Sequence, residues 1–261
     1  MGLTTMILCG GLGTRLREET EYRPKPMVEI GGRPILWHIM NLYAFHGHRD
    51  FVLCLGYKGD RIKDYFLNYE AHQFDFTIEL GRSRSITYHD SHAEAGWRVT
   101  LAETGLMTQT GARIKRASRY VRGDRFLLTY GDGVSNVDIT ALLAFHRQHG
   151  KLATVTGIVP ISRFGELLAD GDSVVQFNEK ARAQTGLVSG GFFVFERAAL
   201  EYLTDEETCV LEREPLERLA SDGQLAVYRH RGFWQCMDTY RDVQHLNQLW
   251  DKGQPPWKVW E

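Results

Sequence analysis

The sequence predicts an α/β fold, a Rossmann-like αβα sandwich around a mixed, mainly parallel sheet with a small C-terminal elaboration. Up to about residue 150, short apolar runs alternate with amphipathic stretches at helical spacing, the order that produces parallel strands joined by crossover helices. Several of those runs stop at glycine, at Gly10, Gly56 and Gly131. A chain of 261 residues with 43% hydrophobic content can bury a full core. No Pro/Ser-rich linker, internal repeat or low-complexity tract divides it, so a single domain over 1–261 is expected, with a change of pattern near 150.

Residues 4–9 are apolar, partly β-branched and ended by Gly10-Gly11, which reads as a buried first strand. Pro34 opens a helical pattern over 34–46, since proline fits a first helical turn. Residues 51–55 form a second buried strand. Ile62, Tyr65, Phe66 and Tyr69 share one face of a helix over 60–69. Alternation over 74–103 predicts strands around a loop at 83–96. A basic helix follows at 112–121, a strand at 126–130 and a helix at 139–149. Beyond 150, strands are expected at 153–159, 174–178, 188–195 and 226–229, with helices at 197–203, 215–222 and 240–250. Tyr43, Phe45, Tyr65, Phe66, Phe192 and Phe193 read as core at these spacings rather than as a stacking platform.

A net charge of −2 with 25% charged residues offers no nucleic-acid surface and no electrostatic membrane anchor. No run has the roughly 18 apolar residues of a spanning helix, and the N-terminal apolar run is too short for a signal peptide. Cys9, Cys54, Cys209 and Cys236 form no C-x-x-C pair, so they read as reduced core thiols of a cytoplasmic protein rather than as a metal knuckle.

The segment Gly10-Gly11-Leu12-Gly13-Thr14-Arg15 follows the first strand directly. Glycines let backbone N–H groups approach an anion closely, Thr14 adds a hydroxyl and Arg15 a two-pronged cation. Leu16 stands where a dinucleotide fingerprint needs glycine, and a Walker loop's Gly-Lys pair is missing. Ten residues on, Arg23-Pro24-Lys25-Pro26 puts a lysine between prolines, which predicts an extended backbone at Lys25. Two arginines and a lysine beside a glycine loop suit a triphosphate, and Arg15 and Lys25 are expected to face solvent until a ligand binds.

The opening "ILCGGLGTRLREETEYRPKPMVEIGGRPILWHIM" resembles the sugar-phosphate nucleotidyltransferases, whose motif is G-G-x-G-T-R-L followed by a lysine flanked by prolines. The forms "EET" and "KPMVEIGG" are similar to the glucose-1-phosphate cytidylyltransferase branch. So are "GYKGD", "TYGDG", "FGEL", "NEK", "GGFFVF", "GFWQCMDT" and "PPWKVWE", so the resemblance covers nearly the whole chain. It implies a nucleotide-binding part at about 1–150 and a sugar-binding part at about 151–261, CTP and a hexose 1-phosphate as substrates, and a homo-oligomer. A UTP- or dTTP-using enzyme of the same fold and a non-catalytic nucleotide sensor are the alternatives. The aromatic tail at 256–260 suits either an oligomer contact or packing on its own domain.

Asp132, between glycines at the carboxyl end of the strand at 126–130, lies where open α/β sheets bind ligands, although Gly-Asp-Gly is also good turn chemistry. Asp238 follows the largely apolar Trp234-Gln235-Cys236-Met237 and is either a ligand-facing carboxylate or a helix N-cap. Two aspartates on one Mg²⁺, with phosphate oxygens and water completing the octahedron, is normal nucleotide-site chemistry, and the resemblance assigns both as metal ligands. It also implies that Gly10, Gly11, Gly13, Thr14, Arg15, Lys25, Thr104 and Thr110 surround the nucleotide, with Arg15, Lys25 and Asp132 catalytic. Glu179 and Lys180 are implied to hold the sugar phosphate beside Ser189 and Gly191. Ser189 departs from the branch, which has asparagine before its two glycines, and the proline usual after Lys180 is replaced within Ala181-Arg182-Ala183.

Overall fold

The apolar runs of the sequence become neighbours in one sheet. The computed structural model describes residues 2–81, 85–159, 166–170, 173–178 and 186–260, with 166–170 and 173–178 described by backbone alone. The strands of the sheet are β1 (Thr4–Leu8), β2 (Asp50–Leu55), β3 (Arg98–Glu103), β4 (Arg125–Tyr130), β5 (Ala153–Ile158), β6 (Val188–Glu196) and β7 (Leu225–His230). Among the described residues they lie in the order β7-β5-β6-β4-β1-β2-β3. β6 runs antiparallel to both of its neighbours, and every other pairing is parallel.

Side chains alternate across this sheet with period two. Met6, Val52, Leu128 and Phe193 enter one hydrophobic layer, while Ile7, Leu53, Leu127 and Phe192 enter the other. Helices cover both layers: α1 (Ile35–Phe45), α2 (Gly59–Leu67), α3 (Thr110–Ala117), α4 (Ile139–His149), α5 (Glu214–Ser221) and α6 (Tyr240–Asp251). Residues of α1, α2, α4 and α6 pack in the layer with Ile7; those of α3 and α5 pack in the layer with Met6. The chain thus forms the expected αβα sandwich.

Local chemistry sets the helix ends. Asp138 caps α4 by accepting from the Ala141 N–H at 2.9 Å, and Gly150 closes it in the left-handed region at φ 65°. The expected helix at 60–69 stops at Leu67, with a short second helix, Tyr69–Gln73, after Asn68. The one expected at 112–121 runs Thr110–Ala117 and tightens into a 3-10 turn. Arg197–Tyr202 is 3-10 rather than α. The expected loop at 83–96 contains a strand, Ser85–Tyr88, paired with Phe76–Glu79. Of the aromatics read as core, Phe45 is exposed.

The C-terminal tail packs on its own domain. Trp257 is 1% exposed, and its indole N–H donates to His38 Nδ1 at 3.3 Å. The other nitrogen of His38 lies 2.9 Å from the Ile30 carbonyl, so a neutral ring that donates from Nε2 and accepts at Nδ1 satisfies both contacts. Burial lowers the His38 pKa from 6.5 to about 4 and keeps the ring neutral. No helix among the described residues is long and apolar enough to cross a membrane.

Candidate active site

The glycine loop leaves β1 at the carboxyl end of the sheet. Its first carbonyl, Gly10 O, accepts from the Arg113 guanidinium at 3.0 Å, and a Cβ at position 10 would sit 2.2 Å from Arg113 Cζ. Only glycine lets the strand approach that buried cation. Gly13 turns the chain at φ 64° into a short 3-10 helix, Thr14–Leu16, which carries Arg15. Thr20 ties the loop from behind, its hydroxyl bridging the Gly13 and Leu16 carbonyls at 3.0 and 2.9 Å.

Lys25 is not extended as expected. It opens a 3-10 turn, Lys25–Met27, closed by Met27 N–H on Pro24 O at 2.8 Å. Pro24 is extended, and Pro26 fits the first turn because no N–H is needed there. The turn carries the Lys25 side chain inward, where it is 12% exposed, against 72% for Arg15. The expectation of a solvent-facing side chain holds for Arg15 and fails for Lys25.

The inward position of Lys25 follows from its partners. A short antiparallel ribbon pairs Gly133–Ser135 with Trp234–Cys236, setting Cys236 opposite Gly133. Met237 N–H then donates to Asp132 O at 2.8 Å, so the two aspartates emerge side by side although a hundred residues of chain separate them. Lys25 Nζ donates to Asp132 Oδ2 at 2.7 Å and to Asp238 Oδ1 at 2.6 Å, and Arg15 Nη1 donates to Asp238 Oδ2 at 2.7 Å. Burial disfavours the ammonium, but Asp132 and Asp238 outweigh it and raise the Lys25 pKa above its ordinary value. Asp238 is not the cap of α6: Thr239 is, in a capping box with Asp242.

Beside this cluster lies a cleft of about 260 Å³, lined by Gly10, Gly11, Gly13, Thr14, Arg15, Lys25, Thr110 and Asp132, among others. Thr104 is not on its wall. The Thr104 hydroxyl is buried, donating to Leu55 O at 2.6 Å and accepting from Arg113 at 2.8 Å. Gly191 sits at φ 76° against the Tyr130 ring, which a Cβ would meet at 2.5 Å. Ser189 is exposed and pairs with Gly157. Because β6 is antiparallel, this start of the strand lies at the carboxyl end of the sheet, with the glycine loop. Glu179 and Lys180 fall outside the described residues.

Three residues escaped the sequence reading. Arg113 is 4% exposed and holds the carbonyls of Gly10, Leu55, Gly105 and Leu106, the loop ends of β1, β2 and β3. Its signal was a charge on the same helical stripe as Ala117, next to Ile114. Tyr130 lines the cleft and donates to Glu212, which also accepts from Thr110 at 2.6 Å. Burial, then the Glu212 charge, raises the Tyr130 pKa, so the phenol stays protonated. No pattern in the sequence marks the Glu212 contact, since it joins segments about a hundred residues apart.

Known proteins resemble the chain over nearly its whole length. Residues 4–253 match the family model described as Nucleotidyl transferase. The chain is 49% identical over 260 residues to the glucose-1-phosphate cytidylyltransferase of Salmonella typhi, covering 99% of this chain and 100% of that protein. It is 44% identical, with the same coverage, to the probable glucose-1-phosphate cytidylyltransferase of Bacillus subtilis (strain 168). Among solved structures, UDP-glucose pyrophosphorylase complexed with UDP-glucose superposes with a TM-score of 0.70 at 13% identity, covering 97% of this chain and 100% of that one. The inositol-1-phosphate CTP transferase from T. maritima superposes at 0.64 with 16% identity and 95% of each chain. At such identities these two share the fold.

Proposed function

The chain belongs to the nucleotidyl transferase family, and from that premise we propose that it transfers the cytidylyl group of CTP to glucose 1-phosphate or a closely related hexose 1-phosphate. The products are a CDP-sugar and pyrophosphate. The observation that carries this reading is the meeting of Arg15, Lys25, Asp132 and Asp238 beside a glycine loop, in a chain 44–49% identical over its length to cytidylyltransferases.

The reaction is an in-line displacement. A phosphate oxygen of the sugar 1-phosphate attacks the α-phosphorus, the α–β bridging bond breaks, and the electron pair leaves on pyrophosphate. The attacking oxygen is already anionic, so no side chain has to remove a proton, and positioning with charge neutralisation carries the catalysis. Arg15 and Lys25 would lie against the triphosphate, with Gly10, Gly11, Gly13 and Thr14 supplying N–H and hydroxyl donors. Thr110 belongs to the nucleotide wall, and Thr104 acts behind it through Arg113. Glu179, Lys180, Ser189 and Gly191 are assigned to the sugar phosphate.

The donor set fits a hard divalent cation. Two carboxylates already converge on one positive centre, the Lys25 ammonium, and they are oxygen ligands, as Mg²⁺ requires. Among the described residues no group of three or more His, Cys, Asp or Glu is arranged for a metal. Asp132 and Asp238 would therefore hold Mg²⁺ together with substrate oxygens and water. When bound, the ion supplies charge neutralisation on the phosphates.

The division at about residue 150 into nucleotide and sugar parts belongs to this reading, as do a cytoplasmic location and a homo-oligomer. Four free cysteines support a reducing compartment. The exposed Phe76 and Ile86 on the hairpin Phe76–Glu79/Ser85–Tyr88 support self-association. The experiment is pyrophosphate release measured with CTP, UTP, dTTP and GTP against a set of sugar 1-phosphates. CTP with glucose 1-phosphate should be among the best pairs. Preference for another base refutes the cytidylyl reading, and no release with any pair refutes the enzyme reading.

A further inference from the structure

The motif at 56–60, Gly-Tyr-Lys-Gly-Asp, has no part in the site described so far. It follows β2 at the same end of the sheet as the glycine loop, yet none of its residues lines the cleft. Lys58 is the one non-glycine residue with positive φ, 51°, among the described residues. A side chain in the left-handed region crowds its own backbone, and a fold keeps such a residue where surrounding contacts fix it.

The Lys58 carbonyl accepts from the Arg61 N–H at 3.1 Å at the start of α2, while its side chain and its neighbour Tyr57 reach the two ends of the glycine loop. The Tyr57 N–H donates to Gly10 O at 3.3 Å, at the loop's start. The Tyr57 hydroxyl donates to Thr20 O at 3.2 Å, and Lys58 Nζ donates to Thr20 O at 3.3 Å and to Glu21 O. Thr20 and Glu21 end the short helix after the loop, where carbonyls lack partners of their own. The Lys58 ammonium lies 5.2 Å from the centre of the Tyr57 ring, so the two side chains also brace each other. One turn of two residues thus holds both ends of the segment that presents Gly11, Thr14 and Arg15.

We propose that the Tyr57–Lys58 turn is a clamp on the glycine loop, and that Lys58 is a positioning residue for the nucleoside triphosphate, acting through the loop without touching the phosphates. This rests on the nucleotide reading of the loop. A loop with both ends tied has few conformations to lose, so its N–H donors are ordered before the triphosphate arrives. The requirement for a lysine is one of reach. Only a long side chain with a terminal donor spans from the turn to the Thr20 and Glu21 carbonyls, and the left-handed backbone is the cost of aiming it there.

The test compares Lys58→Met, which keeps length and backbone strain but loses the donor, with Lys58→Gly, which loses both, and Lys58→Arg, which keeps the donor. Hydrogen exchange is read first, on the nucleotide-free full chain. Amides at 11–21 should exchange about tenfold faster in the Met and Gly variants and near the wild-type rate in the Arg variant. Steady-state kinetics then separate the substrates. KM for the nucleotide should rise about 3- to 10-fold in the Met and Gly variants, the scale of one or two lost hydrogen bonds, while KM for the sugar 1-phosphate stays put. Lys58→Gly cannot fail from backbone strain, because glycine accepts φ 51° freely. Unchanged exchange in both the Met and Gly variants overturns the clamp. Unchanged exchange with a raised nucleotide KM also overturns it, since Lys58 would then be touching the ligand directly. A wild-type chain that releases no pyrophosphate refutes the enzymatic reading alone, because the exchange measurement needs no substrate.

Discussion

Replacing Lys25 by methionine removes one charge and little volume, and its cost can be worked from the contacts. The ammonium is nearly buried between Asp132 and Asp238. Each nearest carboxylate oxygen lies within 2.7 Å of the same nitrogen, so without it two negative charges face each other at no more than about twice that distance. Removing one member of a buried ion pair costs about 3–5 kcal/mol. Asp132 is 31% exposed and Arg15 still neutralises part of Asp238, so solvent and that partner reduce the cost to about 2 kcal/mol. For a chain of this size that lowers Tm by about 4–8 °C. Thermal unfolding in a chelator and again in millimolar Mg²⁺ reads it, with the cation recovering part of the loss. Pyrophosphate release on the same samples should show kcat/KM down by about 10²-fold or more. Arg15→Ala, at a 72% exposed position, should lose comparable activity with unchanged Tm. A Lys25→Met protein that melts like wild type in chelator and turns over normally refutes the argument that this ammonium holds the carboxylates and the triphosphate.

Asp132→Asn and Asp238→Asn should each abolish most activity at low Mg²⁺ and recover some at high Mg²⁺, because the amide keeps the shape but not the charge; an unchanged Mg²⁺ titration for Asp238→Asn removes that residue from the cation site. His38, held neutral, should make stability fall as pH drops from 6.5 to 4, because the unfolded chain takes up a proton there and the folded one does not. The effect is about 3 kcal/mol, and urea midpoints at pH 7 and 4.5 should differ less in His38→Gln. An equal difference in both proteins excludes His38 as the cause. Ser189→Asn should raise kcat/KM for glucose 1-phosphate about 2- to 10-fold, the worth of one hydrogen bond, with little change in nucleotide KM. Identical sugar rankings in the two enzymes take Ser189 away from the sugar.

Where local pattern decides structure, the sequence was readable. The buried strands β1 and β4 and the helix over 139–149 all appear as expected, because each depends on neighbours a few residues apart. The glycine loop, Arg15 and Lys25 stand out as local motifs for the same reason, whereas Asp132 could equally be a turn residue and is singled out by the resemblance. Lys25 shows where that stops. Flanking prolines argue for extended backbone, but a pull from Asp132 and Asp238, more than a hundred residues away, is better served by a tight turn that aims the side chain inward. Asp238 could not be separated from a helix cap until the Thr239–Asp242 box was seen to fill that role. Arg113 hid because a basic helix reads as a solvated surface, whereas here its charge is spent on carbonyls contributed by three loops.

The ribbon between Gly133–Ser135 and Trp234–Cys236 has a consequence for the order in which the protein comes into being. One carboxylate of the pair is made about a hundred residues before the other. A growing chain that has reached β6 already holds its glycine loop, its lysine and Asp132, with the lysine matched by a single aspartate. Closing the second contact spans more than two hundred residues from Lys25 to Asp238, the kind of long-range pairing that folds slowly. The glycine loop and the lysine turn can therefore take shape well before the pair of carboxylates exists. Both aspartates can meet Lys25 only after the chain has been made past Asp238.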